Sequence, residues 1–333
     1  MTEPIKSVSK QPLIYSPTVR ALGALAIVFA IGLIFNADGA FLKWGTHRDM
    51  LRSVSVYGIL ACGMTVVIIS GGIDLGVGSI LALTAVSFSL YTIHWGLPPF
   101  VAVLICLALG IICGAASGVL IANFSIQPFI ATLAMMVFAR GVAKWVSGGQ
   151  KISTAVLQSD GSYKYVDAPD IFNFLNSKIL GENLSVVTVV FFVCLFISYI
   201  LLVKLRPGRY LYAIGGNEAA ARLSGVPVSV IKILAYGLSG LFCAVAGICQ
   251  AAQEMQGDPE AGIAYELSAI AMVVIGGTSL QGGRGGIYLT LIGVLTIGYL
   301  EKILSINAVG EDKRLMLTGA IIVAAVLLQK TRK

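Results

Sequence analysis

Long apolar runs alternate with short polar connections along the whole chain. The runs fall at about 21–35, 52–70, 74–93, 98–122, 128–147, 184–203, 229–250, 265–280, 286–303 and 314–328. Each approaches the roughly 20 residues that an α-helix needs to cross a ~30 Å hydrocarbon core. A backbone in lipid has to satisfy its own hydrogen bonds, and a helix does so within one segment. The expected fold class is therefore all-α and polytopic, with about ten transmembrane helices in one transmembrane domain covering 1–333. Between the runs lie a polar tail at 1–19, a long polar stretch at 148–183 and a basic stretch at 204–228.

Composition sharpens this picture. The chain of 333 residues is 57% hydrophobic and 12% charged, about half the charged fraction of ordinary soluble domains, ~25%. The net charge of +7 raises the question of nucleic acid, but no basic stretch is interleaved with aromatics in the way nucleic-acid binders use. Loop charges that face the cytoplasm explain it instead. Lys204, Arg206, Arg209, Arg222 and Lys232 place the 204–228 stretch in the cytoplasm by the positive-inside rule. With ten spans both termini then lie inside, while 148–183 and 251–264 lie outside. Lys43, Arg48 and Arg52 fall outside against the rule, partly offset by Asp38 and Asp49. The first run follows Lys6, Lys10 and Arg20 and has the outline of a signal peptide; it is read as a retained span, since the later runs need no separate export signal. The six cysteines all sit within apolar runs, with no CxxC pair and no nearby histidine, and read as small buried hydrophobes.

Catalytic chemistry is absent. Residues 277–285 are glycine-rich but lack the Gly-Lys-Ser/Thr of a phosphate-binding loop. There is no HExxH, no EF-hand loop and no nucleophile elbow with partners. Asp74, Arg140, Lys144, Glu266, Glu301 and Lys302 are expected near span ends rather than at mid-membrane. That expectation weighs against an ion-coupled carrier, which needs a midplane carboxylate or broken helices, and against a membrane enzyme, which needs a polar catalytic cluster at one interface. The polar groups left for a path are mostly neutral: Thr65, Thr84, Ser87, Ser117, Asn123, Gln127, Thr132, Ser239 and Gln250. They suit a hydroxyl-rich solute, and equally hydrogen bonds between helices. Gly110, Gly114 and Gly118 form a smooth stripe on one helix face, the pattern of close helix packing. Ile68–Leu75 also echoes Val273–Leu280, each closing an apolar run at a glycine turn.

One polar segment is organised like a docking element. In 213–227, Asn217 is placed to cap a short helix. Glu218 sits where the helix dipole favours an anion, and three alanines supply propensity. Gly225 is placed to take the left-handed position after the helix, and Pro227 blocks its continuation. So short a helix is not stable alone, so the membrane domain or a partner's groove must hold it.

The stretch Gly216–Val226 resembles the coupling segment of monosaccharide-type ABC importer permeases, the ribose permease group of the branched-chain amino acid and sugar permease superfamily. Gly71–Ser79, Ile126–Leu133, Tyr265–Ala271 and Val274–Gly283 resemble further signatures of that group, in the same order, across about residues 50–328. Gly76, where Ser is common, and a longer stretch around 150–183 depart from the pattern. The resemblance implies a permease fold and no catalysis or cofactor on this chain, ATP being bound by a separate cytoplasmic ABC ATPase. It also implies a periplasmic sugar-binding protein, pairing with a second permease copy or paralogue, and an inner-membrane location. The ATPase would grip the helix at 217–224. Asn217 and Gly225 would bound that helix, Ala221 and Ser224 would belong to it, and Glu218 and Arg222 would be its exposed charges. Asp74 has two readings, as a cap on the next helix or as a link between the pore and a cytoplasmic gate. Asn123, Gln127 and Thr132 are the further gate or pathway candidates, with Gln127 and Pro128 also fixing a turn between spans.

Overall fold

The computed structural model describes residues 16–157, 161–310, 312–314, 316–317, 319–320 and 323. The elements, in chain order, are α1 (Pro17–Ile34), α2 (Trp44–Ile69), α3 (Val77–Ser89, continued by a wide turn to His94), α4 (Pro99–Asn123) and α5 (Pro128–Val146). A small polar region follows, with strands β1 (Ala155–Leu157) and β2 (Tyr163–Tyr165), helix α6 (Asp170–Asn176), and strands β3 (Lys178–Ile179) and β4 (Leu184–Ser185). Then come α7 (Val186–Tyr199, continued to Lys204), α8 (Arg206–Gly216), α9 (Glu218–Leu223), α10 (Val228–Glu254), α11 (Tyr265–Gly276) and α12 (Ile287–Ile306). Each strand pair is a two-stranded antiparallel hairpin.

Eight of the ten expected runs form helices long and apolar enough to cross a membrane. The run at 265–280 gives only the shorter apolar helix α11, and the last, at 314–328, lies largely outside the described residues. The tail at 1–19 is described from residue 16 onward. The chain is a multi-pass helical membrane protein.

Prolines set where several helices begin, because a missing N–H costs nothing in the first turn. Pro99 and Pro128 occupy that position in α4 and α5, and Pro207 does so in α8. The helices pack through glycines. A Cβ on Gly110 or Gly114 would overlap the carbonyl of Gly240 or Tyr236, and one on Gly118 would lie 2.8 Å from Ile233 Cα. The α4 stripe therefore meets α10 backbone to backbone, as expected for packing; it does not line a groove. Most of the neutral polar groups also serve the helices. Thr65 and Thr290 join α2 to α12 at 2.6 Å, while Thr84 and Ser117 donate to carbonyls three or four residues back in their own helices. All six cysteines are buried and unpaired.

The helices define two faces. One carries α8, α9, the start of α10 and the turn at 277–286, with Pro17 beside Gly277. The other carries the segment from 36 to 52, the region 148–185 and the turn at 255–264. Arg48 Nη1 donates to the Glu182 carbonyl, Arg52 reaches Asn176, and Gln253 donates to the Arg52 carbonyl. So Lys43, Arg48 and Arg52 share a face with 148–183, as the run order implied.

The run boundaries conceal two breaks. α2 ends at Ile69, and the extended segment 70–76 folds inward before α3 starts. Asp74 lies against Ser239, near the middle of α10. On the other side, the chain after α10 turns back inward through 255–264 before α11 begins. A Cβ on Gly78, near the start of α3, would overlap the Gly262 carbonyl and lie 3.0 Å from Glu266 Oε2. The start of α3 thus meets the turn before α11 and the first turn of that shorter helix. This corrects the expectation that Asp74 and Glu266 sit near span ends: the apolar runs continue through segments whose backbone is broken, so run length overstates helix length.

Candidate functional site

The docking element has the local structure its sequence predicts. Asn217 Oδ1 accepts the Ala220 N–H at 3.0 Å, capping α9. Gly225 has φ +80°, a conformation in which a side chain is strained. Ala221 is buried against the membrane domain, while Ser224 and Arg222 are exposed.

Glu218 is engaged inside the chain rather than simply exposed. Its Oε2 accepts from Lys232 Nζ at 2.6 Å and its Oε1 from Arg222 Nη2 at 3.2 Å. Partial burial pushes its carboxyl upward, but the Lys232 ammonium and the Arg222 guanidinium outweigh that and hold it below its ordinary value. Sequence reasoning passed over Leu223, which is 91% exposed at the end of α9. Its only sequence signal is a large apolar residue between Arg222 and Ser224.

Beneath this element the two echoing glycine turns come together. Gly283 N donates to the Ile69 carbonyl at 2.9 Å. A Cβ on Gly215, at the end of α8, would overlap the same Ile69 carbonyl, and one on Gly282 would lie 2.9 Å from both Gly215 Cα and Gly71 Cα. α8 is therefore clamped, backbone to backbone, to the end of α2 and to the turn after α11. A polar cavity of about 220 Å³ opens beside this contact, lined by Gly71, Gly215, Glu218, Lys232, Tyr236 and Gln281 among others.

A polar row on α10 continues inward from the cavity. Lys232, Tyr236 and Ser239 lie three to four residues apart and so share one helix face. Lys232 binds Glu218 of α9. The Tyr236 hydroxyl reaches the Ile73 carbonyl at 3.5 Å, and Ser239 Oγ donates to Asp74 Oδ2 at 2.7 Å. Asp74 Oδ1 accepts the Gly76 N–H at 2.9 Å. Asp74 therefore closes the turn before α3 and ties it to α10, without capping the first turn of α3 itself. Thr132 is buried, donates to Pro128 O and faces the Ile73 carbonyl at 3.4 Å. It joins this group through segment 70–76. Asn123 and Gln127 do not join it; both are exposed at the turn between α4 and α5. No cluster of His, Cys, Asp or Glu among the described residues has metal-binding geometry.

Residues 48–326 match the family described as branched-chain amino acid transport system / permease component. The chain is 39% identical over 312 residues to the ribose import permease protein RbsC of Escherichia coli K12, covering 93% of each chain. It is 37% identical to RbsC of Bacillus subtilis 168, covering 93% of this chain and 92% of that one. It is 34% identical to the fructose import permease protein FruG of Bifidobacterium longum NCC 2705, covering 92% and 89%. No solved structure matches the chain. These relatives are named as permeases, transport components rather than enzymes. The chain belongs to the branched-chain amino acid transport system / permease component family, with a ribose-type permease sequence along nearly its whole length.

Proposed function

We propose that this chain is the membrane-spanning permease subunit of an ATP-driven importer of a monosaccharide, ribose or a similar sugar. Ribose, fructose and galactofuranose permeases among its relatives support a sugar as the solute. In this reading the chain lies in the cytoplasmic (inner) membrane with both termini and segment 204–228 inside. It pairs with a second permease, a copy or a paralogue. A cytoplasmic ABC ATPase docks on α9, and a periplasmic binding protein delivers the sugar to the opposite face. ATP is held by the ATPase, and this chain carries no cofactor.

The observation that carries the reading is the docking element itself. α9 offers Leu223, Arg222 and Ser224 outward, and α8 beside it is locked to the turns at 71 and 282. When ATP closes the ATPase pair, the two α9 helices are drawn together. The Gly215 contact then moves the ends of α2 and α11, and the Lys232–Tyr236–Ser239 row carries the displacement to segment 70–76. This is a two-state element biased by a ligand bound elsewhere. Alternating access follows as the two permeases tilt.

The test is uptake into vesicles reconstituted with the ATPase and binding protein, using ribose, fructose and leucine as probes. Uptake of a sugar and not of leucine, with loss of both uptake and sugar-stimulated ATP hydrolysis in the Glu218→Ala/Arg222→Ala variant, is expected. Leucine uptake would move the substrate to the amino-acid branch. Uptake driven by a proton or sodium gradient without the ATPase would favour an ion-coupled carrier, for which the mid-depth Asp74 and Glu266 would then be the binding groups.

A further inference from the structure

Two kinds of surface are exposed along the membrane-spanning part of the chain. α4 and α7 present Phe100, Leu104, Ile112, Val193 and Phe196, as lipid requires. The edge formed by α5 and the inward-folded turn 255–264 exposes Val137, Phe138 and Ile263 as well, but sets charged groups among them. Arg140 Nη1 donates to the Pro259 and Ala261 carbonyls at 2.6 and 2.7 Å. Lys144 pairs with Glu260 at 3.0 Å, with both side chains about half exposed.

These groups lie deep. Gly78, which touches Glu266, lies in sequence between Asp74 of segment 70–76, level with Ser239 of α10, and Leu81 of α3, beside Gly247 of α10. At 1.5 Å per residue those heights are about 16 and 28 Å along a helix of about 40 Å, within the ~30 Å hydrocarbon core. Arg140 lies about 18 Å along α5 from Pro128 by the same measure. At that depth a charged side chain faces protein or water, because hydrocarbon excludes it. Irregular backbone is tolerated there only where protein buries it or where it lines a water-filled cavity. Yet Ile263 is 61% exposed at the tip of this turn, and Met255 and Ala264 hold left-handed backbone at its two ends.

Resting on the permease reading, we infer that Arg140 and Glu266 face the water-filled solute path near mid-membrane and contact the hydroxyls of the passing sugar. Nε and Nη2 of Arg140 have no partner among the described residues and remain as donors. The Glu266 carboxylate, set beside Gly78 where no side chain intrudes, supplies acceptors. Donors and an acceptor brought to one edge match a polyol, whose hydroxyls both give and take hydrogen bonds. The carbonyls of Pro259 and Ala261 fix the Arg140 guanidinium, and the Lys144–Glu260 and Lys151–Asp258 pairs fix the turn around it.

The test has two readouts on the full chain. First, Ile263→Cys and, as a lipid-facing control, Ile112→Cys are exposed to a charged, membrane-impermeant thiol reagent; the six native cysteines are buried. Modification at 263 and none at 112 is expected, whether or not a sugar is carried. Equal resistance at both positions, with and without ATP, overturns the inference. Second, Arg140→Gln and Glu266→Gln are assayed with the partner subunits for ribose carried per ATP hydrolysed. A drop of about tenfold in that ratio is expected, the scale of one lost charge-assisted hydrogen bond. A structural role would lower uptake and hydrolysis together, and an unchanged ratio contradicts solute contact. If the wild type carries no sugar, the sugar-permease reading fails, and the accessibility result still decides whether this face is wet.

Discussion

Lys232 Nζ lies 2.6 Å from Glu218 Oε2, and this contact ties the short helix α9 to the long helix α10. Lys232 is largely buried, whereas the Glu218 side chain is 41% exposed, so the pair contributes at most about 1 kcal/mol to stability. Its role is orientation.

Because the folded carboxyl of Glu218 titrates below its ordinary value, the contact is fully present above the usual carboxylate range. It is lost only as the pH falls through the lower, folded value. A spin label on Ser224→Cys is therefore expected to stay immobile through the ordinary carboxylate range and to loosen only at pH values below it. In Lys232→Met the label is expected to be mobile at every pH. Equal mobility in both backgrounds would show that α9 is held by other means.

Adjacent glycines at the end of α8 make a sharper comparison. A Cβ on Gly215 overlaps the Ile69 carbonyl, whereas one on Gly216 meets nothing within 4 Å. Overpacking against backbone costs about 1–3 kcal/mol. Gly215→Ala is expected to lower the unfolding temperature in detergent and to reduce ATP-dependent uptake. Gly216→Ala, one residue away, is expected to do neither. The reverse order would mean that α8 is not clamped as described.

Asp74 is 1% exposed and accepts from both Ser239 Oγ and Gly76 N–H. Removing its oxygens strands two buried donors, at about 1–3 kcal/mol each. Asp74→Ala is expected to destabilise by several kcal/mol. Asp74→Asn, which keeps one acceptor oxygen, is expected to lose less stability. Urea unfolding followed by circular dichroism orders the two, and an alanine variant as stable as the asparagine one would remove Asp74 from the tie between α3 and α10.

The span order and the caps of α9 were legible because each rests on local chemistry. Asn217 and Gly225 have positional meanings set by backbone geometry, and the apolar runs reflect the lipid around them. The depth of Asp74, Arg140 and Glu266 was not legible. Apolar periodicity records how much of the chain meets lipid or core, but it does not mark where a helix breaks and folds inward. The same holds for the glycine turns at 71 and 282. Their resemblance was visible along the chain, while their meeting at Gly215 is a tertiary contact that no local pattern encodes. Leu223 was missed because one large apolar residue at the end of a short alanine-rich helix reads the same whether it packs inward or points out.

Coupling through α9 is tested most directly by ribose uptake into vesicles carrying this chain with the ATPase and binding protein, with wild type and Leu223→Asp compared side by side. Because Leu223 is 91% exposed, the substitution is expected to leave the unfolding temperature within about 1 °C, as surface changes do. The wild type is expected to accumulate ribose only with ATP, and the variant, folded but no longer gripped by the ATPase, to accumulate none. Uptake by the variant at the wild-type rate, or wild-type uptake that continues without ATP, would contradict it.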